Sequence, residues 1–135
     1  MTMTRIKPAE IVAELLAHET DHQVLTSMGA EVSRLDLPVT VVTVPTMAQA
    51  GRVDRWAFRV QVAVTTFAAS LADAEGPHYA AHDALLEATA SFDGAVLISS
   101  LVCDSEPLPH VARPGADWPG LVSTYTMYMR SKERS

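Results

Sequence analysis

With 135 residues, the chain is expected to form one domain that folds around its own core without a metal or a disulfide. A content of 48% hydrophobic and 19% charged residues excludes a disordered chain, and the net charge of −6 argues against ordinary binding to nucleic-acid phosphates. No apolar run reaches the roughly 18 residues of a membrane span, no secretory signal is expected at the N-terminus, and the single Cys103 suits a reducing cytoplasm.

The first part of the chain predicts one helix followed by two or three strands. Pro8 suits a first helical position, and the apolar stripe after it has helical spacing until residues 20–22. Residues 23–28 are a candidate first strand. Residues 37–44 (LPVTVVTV) are β-branched and bounded by prolines, which indicates a buried strand. Residues 45–54 are then expected to form a loop.

The middle of the chain contains the clearest strand pattern and the second helix. In residues 55–65, apolar and polar side chains alternate for ten residues, which predicts a sheet with one buried face. Residues 67–75 are ambiguous, and Gly76-Pro77 is expected to interrupt them. A second helix is predicted from about Pro77 to Phe92, where apolar residues recur at helical spacing.

The last part predicts two strands separated by a long loop. Asp93-Gly94 signals a turn before a strand at residues 95–103. Residues 104–120 hold four prolines and are expected to be irregular, and residues 120–130 form the last strand before a tail, 131–135, that is expected to fray. The fold prediction is therefore α+β: a single domain with two helices packed on a mostly antiparallel sheet of four to five strands.

The segment His18-Glu19-Thr20-Asp21-His22 matches the H-E-x-x-H pattern of zinc hydrolases. In that pattern two histidines on one helix face bind zinc, and the glutamate activates the metal-bound water. Asp21 puts a charge where such a helix normally carries an apolar residue. We therefore favour a polar turn after a helix that frays near Ala17, with no metal bound.

Other reactive side chains have simpler explanations. His78 and His82 repeat the i, i+4 spacing, but only the distant His110 is left as a further histidine, so both are expected to face solvent at a helix start. Cys103 follows an apolar strand, and a buried small hydrophobe is expected there. No phosphate-binding loop, nucleophile elbow or kinase signature is present, so neither a catalytic residue nor a cofactor is predicted.

The aromatic residues divide between core and surface predictions. Trp56 and Phe58 belong to the alternating strand and are expected in the core. Trp118 lies in the proline-rich segment and is expected to anchor an interface with a partner. Met47 is the apolar side chain of the first loop with the same potential role.

From RVDRWAFRVQVAVTT through AAHDALLEATASF, the sequence resembles the tail terminator (tail completion) proteins of long-tailed phages. The run from VLISSLVCDSEPLP through ARPGADWPGLVSTYTMYMR resembles them as well. The resemblance spans residues 37–130 and rests on element order: an arginine-containing strand, a helix, a strand, a proline-rich loop and a final strand. That final strand ends near a Tyr and an Arg, here Tyr125 or Tyr128 and Arg130. Between Phe67 and Pro77 the chain has extra residues that depart from the pattern.

The resemblance implies a structural virion protein of the tail and neck, assembled in the host cytoplasm. It would form a homohexameric ring that caps the tail tube and joins it to the head–tail connector, while DNA passes through the lumen without sequence-specific binding. The partners would be further copies of the chain, the tail tube protein and the connector protein, with no membrane and no catalysis. The interface candidates are Met47, Arg52, Arg55 and Trp118.

Two other hypotheses about the function remain open at this point. A small zinc-dependent hydrolase would use His18, Glu19 and His22. A small-molecule-binding α+β domain would instead need a concave apolar pocket with a few polar groups.

Overall fold

The structure is a computed structural model that describes residues 7–20, 22–26, 38–49, 57–87, 92–93, 96–110 and 119–131. In chain order the elements are α1 (Pro8–Glu19), β1 (Gln23–Leu25), β2 (Val39–Gln49), β3 (Ala57–Phe67), α2 (Leu71–Glu87), β4 (Phe92–Asp93), β5 (Val96–His110) and β6 (Gly120–Ser131).

All strands belong to one sheet with the order β1-β2-β3-β6-β5-β4. Only the β1–β2 pair is parallel, and the other pairs are antiparallel. The predicted α+β fold, with two helices on a mostly antiparallel sheet, is confirmed. Four long strands form most of the sheet, and the short strands β1 and β4 lie at its two edges. No helix in the described ranges is long and apolar enough to span a membrane.

The core lies between the two helices and one face of the sheet, which we call the inner face. Both helices contribute buried side chains to it, and β3 and β6 contribute every second residue, as the alternation predicts. The fully buried members are Val12, Leu16, Val42, Val60, Val62, Val64, Ala81, Leu85, Tyr125, Met127 and Met129.

Helix α1 follows its sequence signals closely. Pro8 occupies the start of the helix, and Val12 and Leu16, one turn apart, are buried. At the C-terminal end, the backbone N–H and the hydroxyl of Thr20 both donate to the carbonyl oxygen of Leu16, at 2.9 and 2.6 Å. The helix therefore ends at Glu19, close to the predicted position.

Helix α2 begins earlier than predicted and runs through Gly76-Pro77, so the expected interruption is wrong. The hydroxyl of Ser70 accepts a hydrogen bond from the N–H of Asp73 at 3.1 Å and caps the helix. Proline removes one internal hydrogen bond, but Ala74 and His78 on either side of it are both buried against the sheet. Tertiary packing thus holds both halves in one helix. Phe92, predicted as helical, lies in β4.

Two segments predicted as loops, residues 45–54 and 104–120, are strand over residues 45–49 and 104–110, which the structure describes. Strand β2 continues through Pro45, where the register with β3 shifts between Thr43 and Thr46. Strand β5 continues through Pro107 and Pro109, with register shifts that accommodate them. Proline is tolerated at a bulge and on a strand edge that needs no N–H donor, and β4 covers only the first two residues of β5. Residues 50–56 and 111–118 lie outside the described ranges.

The opposite side of the sheet is called the outer face. It carries no helix within the described part of the chain, and its middle strands present small or uncharged side chains at most positions. By register and exposure these are Thr43, Arg59, Gln61, Ala63, Thr65, Val122, Thr124, Thr126 and Tyr128. At one end of this side, Val39, Val41 and Phe67 form a separate small buried cluster.

Candidate functional site

A chain of hydrogen-bonded polar side chains crosses the inner face beneath α2, and we call it the polar network. His22 Nε2 lies 2.5 Å from Thr40 Oγ1, which lies 3.0 Å from Thr66 Oγ1. Thr66 Oγ1 in turn lies 2.9 Å from His78 Nδ1. His78 Nε2 lies 2.8 Å from Ser123 Oγ. The network therefore joins the segment before β1 to β2, β3, α2 and β6.

Strand register brings the hydroxyl groups of the network together. Thr40 of β2 is paired with Thr66 of β3, and both side chains are on the inner face. Ser123 of β6 is paired with Val64, which is the preceding inner position of β3. The inner face is thus apolar toward one end and polar toward the other, where His78 descends from α2.

The environment of His78 holds its imidazole in the neutral form. The side chain is fully buried, and this desolvation, followed by the nearby His82 and His22, lowers the pKa of His78 from 6.5 to about 4. A neutral imidazole has one N–H donor and one acceptor nitrogen. One of its hydroxyl partners therefore donates to His78 while the other accepts from it.

Because of this constraint, all the hydrogen bonds of the polar network must run the same way from donor to acceptor. If Thr66 donates to Nδ1, then Thr40 donates to Thr66, since each hydroxyl carries one proton. His22 then donates to Thr40, and His78 Nε2–H donates to Ser123. The reverse direction satisfies the same contacts with every donor and acceptor exchanged. Either way, buried hydroxyls and imidazoles satisfy one another, which avoids the desolvation cost of unpaired polar groups.

A second histidine contact lies one turn along α2. His82 Nδ1 is 2.6 Å from the hydroxyl of Tyr125, and the two rings are 5.7 Å apart. Tyr125 is fully buried in the centre of the core. Its phenol therefore reaches a polar partner on the helix, as buried tyrosines usually require.

Ser123, His78 and Thr66 have the order of a nucleophile, a base and a group that orients the base. In hydrolases the orienting group is commonly a carboxylate that stabilises the imidazolium, whereas here it is a hydroxyl. Ser123 and His78 are both fully buried, so a substrate carbonyl has no access to the serine oxygen in this conformation. The arrangement fixes α2 on the sheet and does not present a reactive group to a substrate.

The structure separates the two histidines of the H-E-x-x-H segment. Helix α1 ends at Glu19, so His22 lies beyond the helix and contacts Thr40, while His18 and Glu19 are exposed. The shared helix face that zinc binding in this pattern requires is not formed. Within the described ranges, no three His, Cys, Asp or Glu side chains are grouped closely enough to hold a metal ion.

The prediction that His78 and His82 face solvent is wrong. His78 is fully buried and His82 is half-buried, because α2 begins six residues before Pro77 and both histidines lie in its middle, turned toward the sheet. Cys103 is half-buried and packs against the core, as does Phe58, and His110 is the last residue of β5.

The predicted interface residues are only partly described. Met47 lies on β2, and 39% of its surface is exposed. Arg52, Arg55 and Trp118 lie outside the described residues, as does Trp56. Of the tyrosines proposed to end the family pattern, Tyr125 is in the core and Tyr128 is exposed on the outer face.

Sequence reasoning missed the polar members of the network. The available signal was a polar residue at an inner position of an alternating strand: Thr66 follows Val60, Val62 and Val64 at the same spacing. Such a position predicts a buried hydroxyl that needs a partner. The partner itself cannot be read from spacing, because His78 and Ser123 are 45 residues apart.

No family model matches the chain, and a search of curated proteins found no significant match.

Proposed function

We propose that the chain is a structural virion protein similar to phage tail terminators, which forms a ring on the end of the tail tube and joins it to the head–tail connector. The observation that carries the proposal is the division of the sheet into two unlike faces. The inner face is covered by the helices, and its buried histidines and hydroxyls are used in internal hydrogen bonds. The outer face is uncharged at most positions and has no described helix on it.

A sheet face of this kind suits assembly. Its central row is made of Thr43, Ala63 and Thr124, which are paired across three strands, and small uncharged side chains there need little desolvation on contact. The adjacent rows carry no carboxylate, in a chain whose net charge is −6. The negative net charge also fits a ring through which DNA passes, because a strongly basic lumen would bind the DNA and slow its passage.

The order of elements in the resembling region supports the same proposal. Strand β3, helix α2, strand β5 and strand β6 follow one another in the order on which the resemblance is based, although residues 104–110 of the expected proline-rich loop belong to β5. Under this proposal the protein is not an enzyme, binds no cofactor, and works in the neck of the virion after assembly in the host cytoplasm. Its partners are further copies of itself, the tube protein and the connector protein.

The zinc hydrolase is the weaker candidate. It needs His18 and His22 on one helix face, and α1 ends between them. Elemental analysis of protein purified without a histidine tag is expected to find far less than one zinc per chain. One zinc per chain that is lost in a His22→Ala variant would instead support the zinc hydrolase hypothesis.

The ring is tested by mixing the purified chain with terminator-free phage tail tubes and examining them by negative-stain electron microscopy. Closed rings on tube ends, with a subunit number obtained from class averages, are expected. Light scattering of the chain alone at high concentration gives its oligomeric state before it meets the tube. A chain that stays monomeric and leaves the tube ends bare would reject the proposal.

A further inference from the structure

The two helices are acidic, whereas the three neighbouring strands β2, β3 and β6 are not; strand β5, next to β6, contains Asp104 and Glu106. The helices contain seven carboxylates and neither lysine nor arginine; three carboxylates are in α1 and four in α2, namely Glu10, Glu14, Glu19, Asp73, Glu75, Asp83 and Glu87. Strands β2, β3 and β6 contain no carboxylate, and their charged residues are Arg59 and Arg130. One side of the domain is therefore acidic, while the middle of the sheet is neutral to basic.

Helix α2 also exposes a line of large apolar side chains. Leu71, Tyr79 and Leu86 are 40%, 47% and 44% exposed. At about 100° of rotation per residue, Tyr79 and Leu86 lie roughly 80° and 60° around the helix from Leu71, so the three side chains share one side of the helix. Glu75 lies within this line and Asp83 beside it. We call these five residues the α2 ridge.

The outer face has the complementary character. Its centre consists of half-buried small side chains at Ala63, Thr65 and Thr124, which leave room for larger side chains from a partner. Arg59 is exposed at one end of the same face, beside its cross-strand neighbour Tyr128. A helix presenting apolar side chains and carboxylates matches this surface in both shape and charge.

We propose that the outer face of one copy receives the α2 ridge of the next copy, an inference that rests on the ring function proposed above. The ridge's apolar side chains pack on the small residues of the sheet, and Glu75 and Asp83 face Arg59. The sheet is then covered by its own helices on one side and by a neighbour's helix on the other, which is a stable layer arrangement. Helix α2, about 25 Å long, fits along strands of eleven residues.

Charge also disfavours one type of symmetry. A two-fold contact between helix layers would place carboxylates against carboxylates, which is unfavourable. A contact between two different surfaces is heterologous, and such contacts generate closed rings when the rotation between copies closes. The same two surfaces therefore account for a ring without any further interface.

Cross-linking with two cysteines tests this arrangement in the full chain. In a Cys103→Ala background, Tyr79→Cys marks the ridge and Thr124→Cys marks the outer face. The two positions lie on opposite sides of one copy, so a short bismaleimide can join them only between copies. At high concentration the double-cysteine chain is expected to give a ladder of covalent oligomers on a denaturing gel.

The single-cysteine chains make the test specific. An equimolar mixture of the Tyr79→Cys and Thr124→Cys chains should give a dimer band and nothing larger, and each alone should give at least fivefold less. A chain with Glu14→Cys in place of Tyr79→Cys is the matched control from the other helix and should give no ladder. Arg59→Glu should lower the yield several-fold, and Arg59→Gln less.

The outcomes distinguish this interface from the ring function. If wild-type rings form on tail tubes while the double-cysteine chain gives no more ladder than the Glu14→Cys control, the interface is wrong and the ring function stands. A ladder from Thr124→Cys alone would likewise overturn the heterologous contact. If wild-type chain forms no ring on tubes, the proposed function fails by itself. Circular dichroism of each variant establishes that it is folded.

Discussion

The Nδ1 atom of His78 lies 2.9 Å from Oγ1 of Thr66, so that helix α2 is tied to the strand that directly precedes it. Only Ala68, Ala69 and Ser70 connect the two elements. The other ring nitrogen of His78 reaches Ser123 of β6, so a single imidazole joins α2 to two adjacent strands. Because both bonds are buried, the position of α2 depends on the protonation state of this residue.

Stability is expected to fall as the pH drops from about 6.5 to 4. In the unfolded chain His78 has an ordinary pKa near 6.5, and in the folded chain burial beside His82 and His22 lowers the pKa to about 4. Between these values only the unfolded state binds the proton. The contribution of neutral His78 is complete above pH 6.5 and is lost toward pH 4, a change of about 3 kcal/mol.

Urea unfolding at several pH values measures this change, with His78→Gln as the reference. Glutamine keeps a donor and an acceptor but does not titrate in this range. The variant should therefore have a lower free energy of unfolding than wild type at pH 7, and the gap between the two free energies should narrow by pH 4. The carboxylates titrate in both proteins and cancel in the comparison. A difference that stays constant across the range would show that His78 does not titrate on unfolding.

Replacing Thr66 by valine should destabilise the fold by about 1–3 kcal/mol, because Thr40 and His78 Nδ1 each lose a buried partner. Valine has nearly the same shape as threonine, so packing is preserved. Thr65→Val is the matched control on the outer face, where the side chain is half-buried, and it should change stability by less than about 0.5 kcal/mol. Equal effects of the two variants would contradict the importance of the polar network.

Two glycine substitutions should differ in how much they change stability. At Gly120 a Cβ atom would lie 2.6 Å from the carbonyl oxygen of Thr66 and 3.0 Å from Cδ1 of Phe67, so Gly120→Ala must displace backbone and should cost about 2 kcal/mol or more. At Gly76 a Cβ atom meets nothing within 4 Å apart from its chain neighbours. Alanine favours the helix more than glycine does, but the ring of Pro77 disfavours a helical residue with a Cβ directly before it, so Gly76→Ala should change stability by less than about 1 kcal/mol. Thermal unfolding of both variants tests the pair.

Removing the hydroxyl of Tyr125 should cost about 1 kcal/mol. Tyr125→Phe keeps the ring in the core but deletes the 2.6 Å contact with His82 Nδ1. Tyr79→Phe, on the exposed side of α2 with 47% of its surface exposed, is the control and should be close to neutral. If Tyr125→Phe is also neutral, the His82 contact contributes no net stability.

The identities of the elements could be predicted from local patterns. The alternation in β3 gives its buried face directly, since successive side chains in a strand point to opposite sides. The apolar spacing from Pro8 onward gives α1, and its end near Thr20 is close to the predicted one. Prolines misled the prediction at Pro45, Pro77 and Pro109, because their effect depends on whether a neighbouring strand or helix needs the missing N–H.

The sequence by itself determined the α+β class, the two helices, the four long strands and which side of β3 is buried, because these depend on periodicity within short windows. Only the tertiary structure decided that His78 is buried and neutral, that Thr40, Thr66 and Ser123 are its neighbours, and that His22 leaves the helix carrying His18. Hydrogen bonds across the sheet join residues 12 to 45 positions apart. Which partners meet depends on strand order and register, and neither is encoded in the spacing of any single segment.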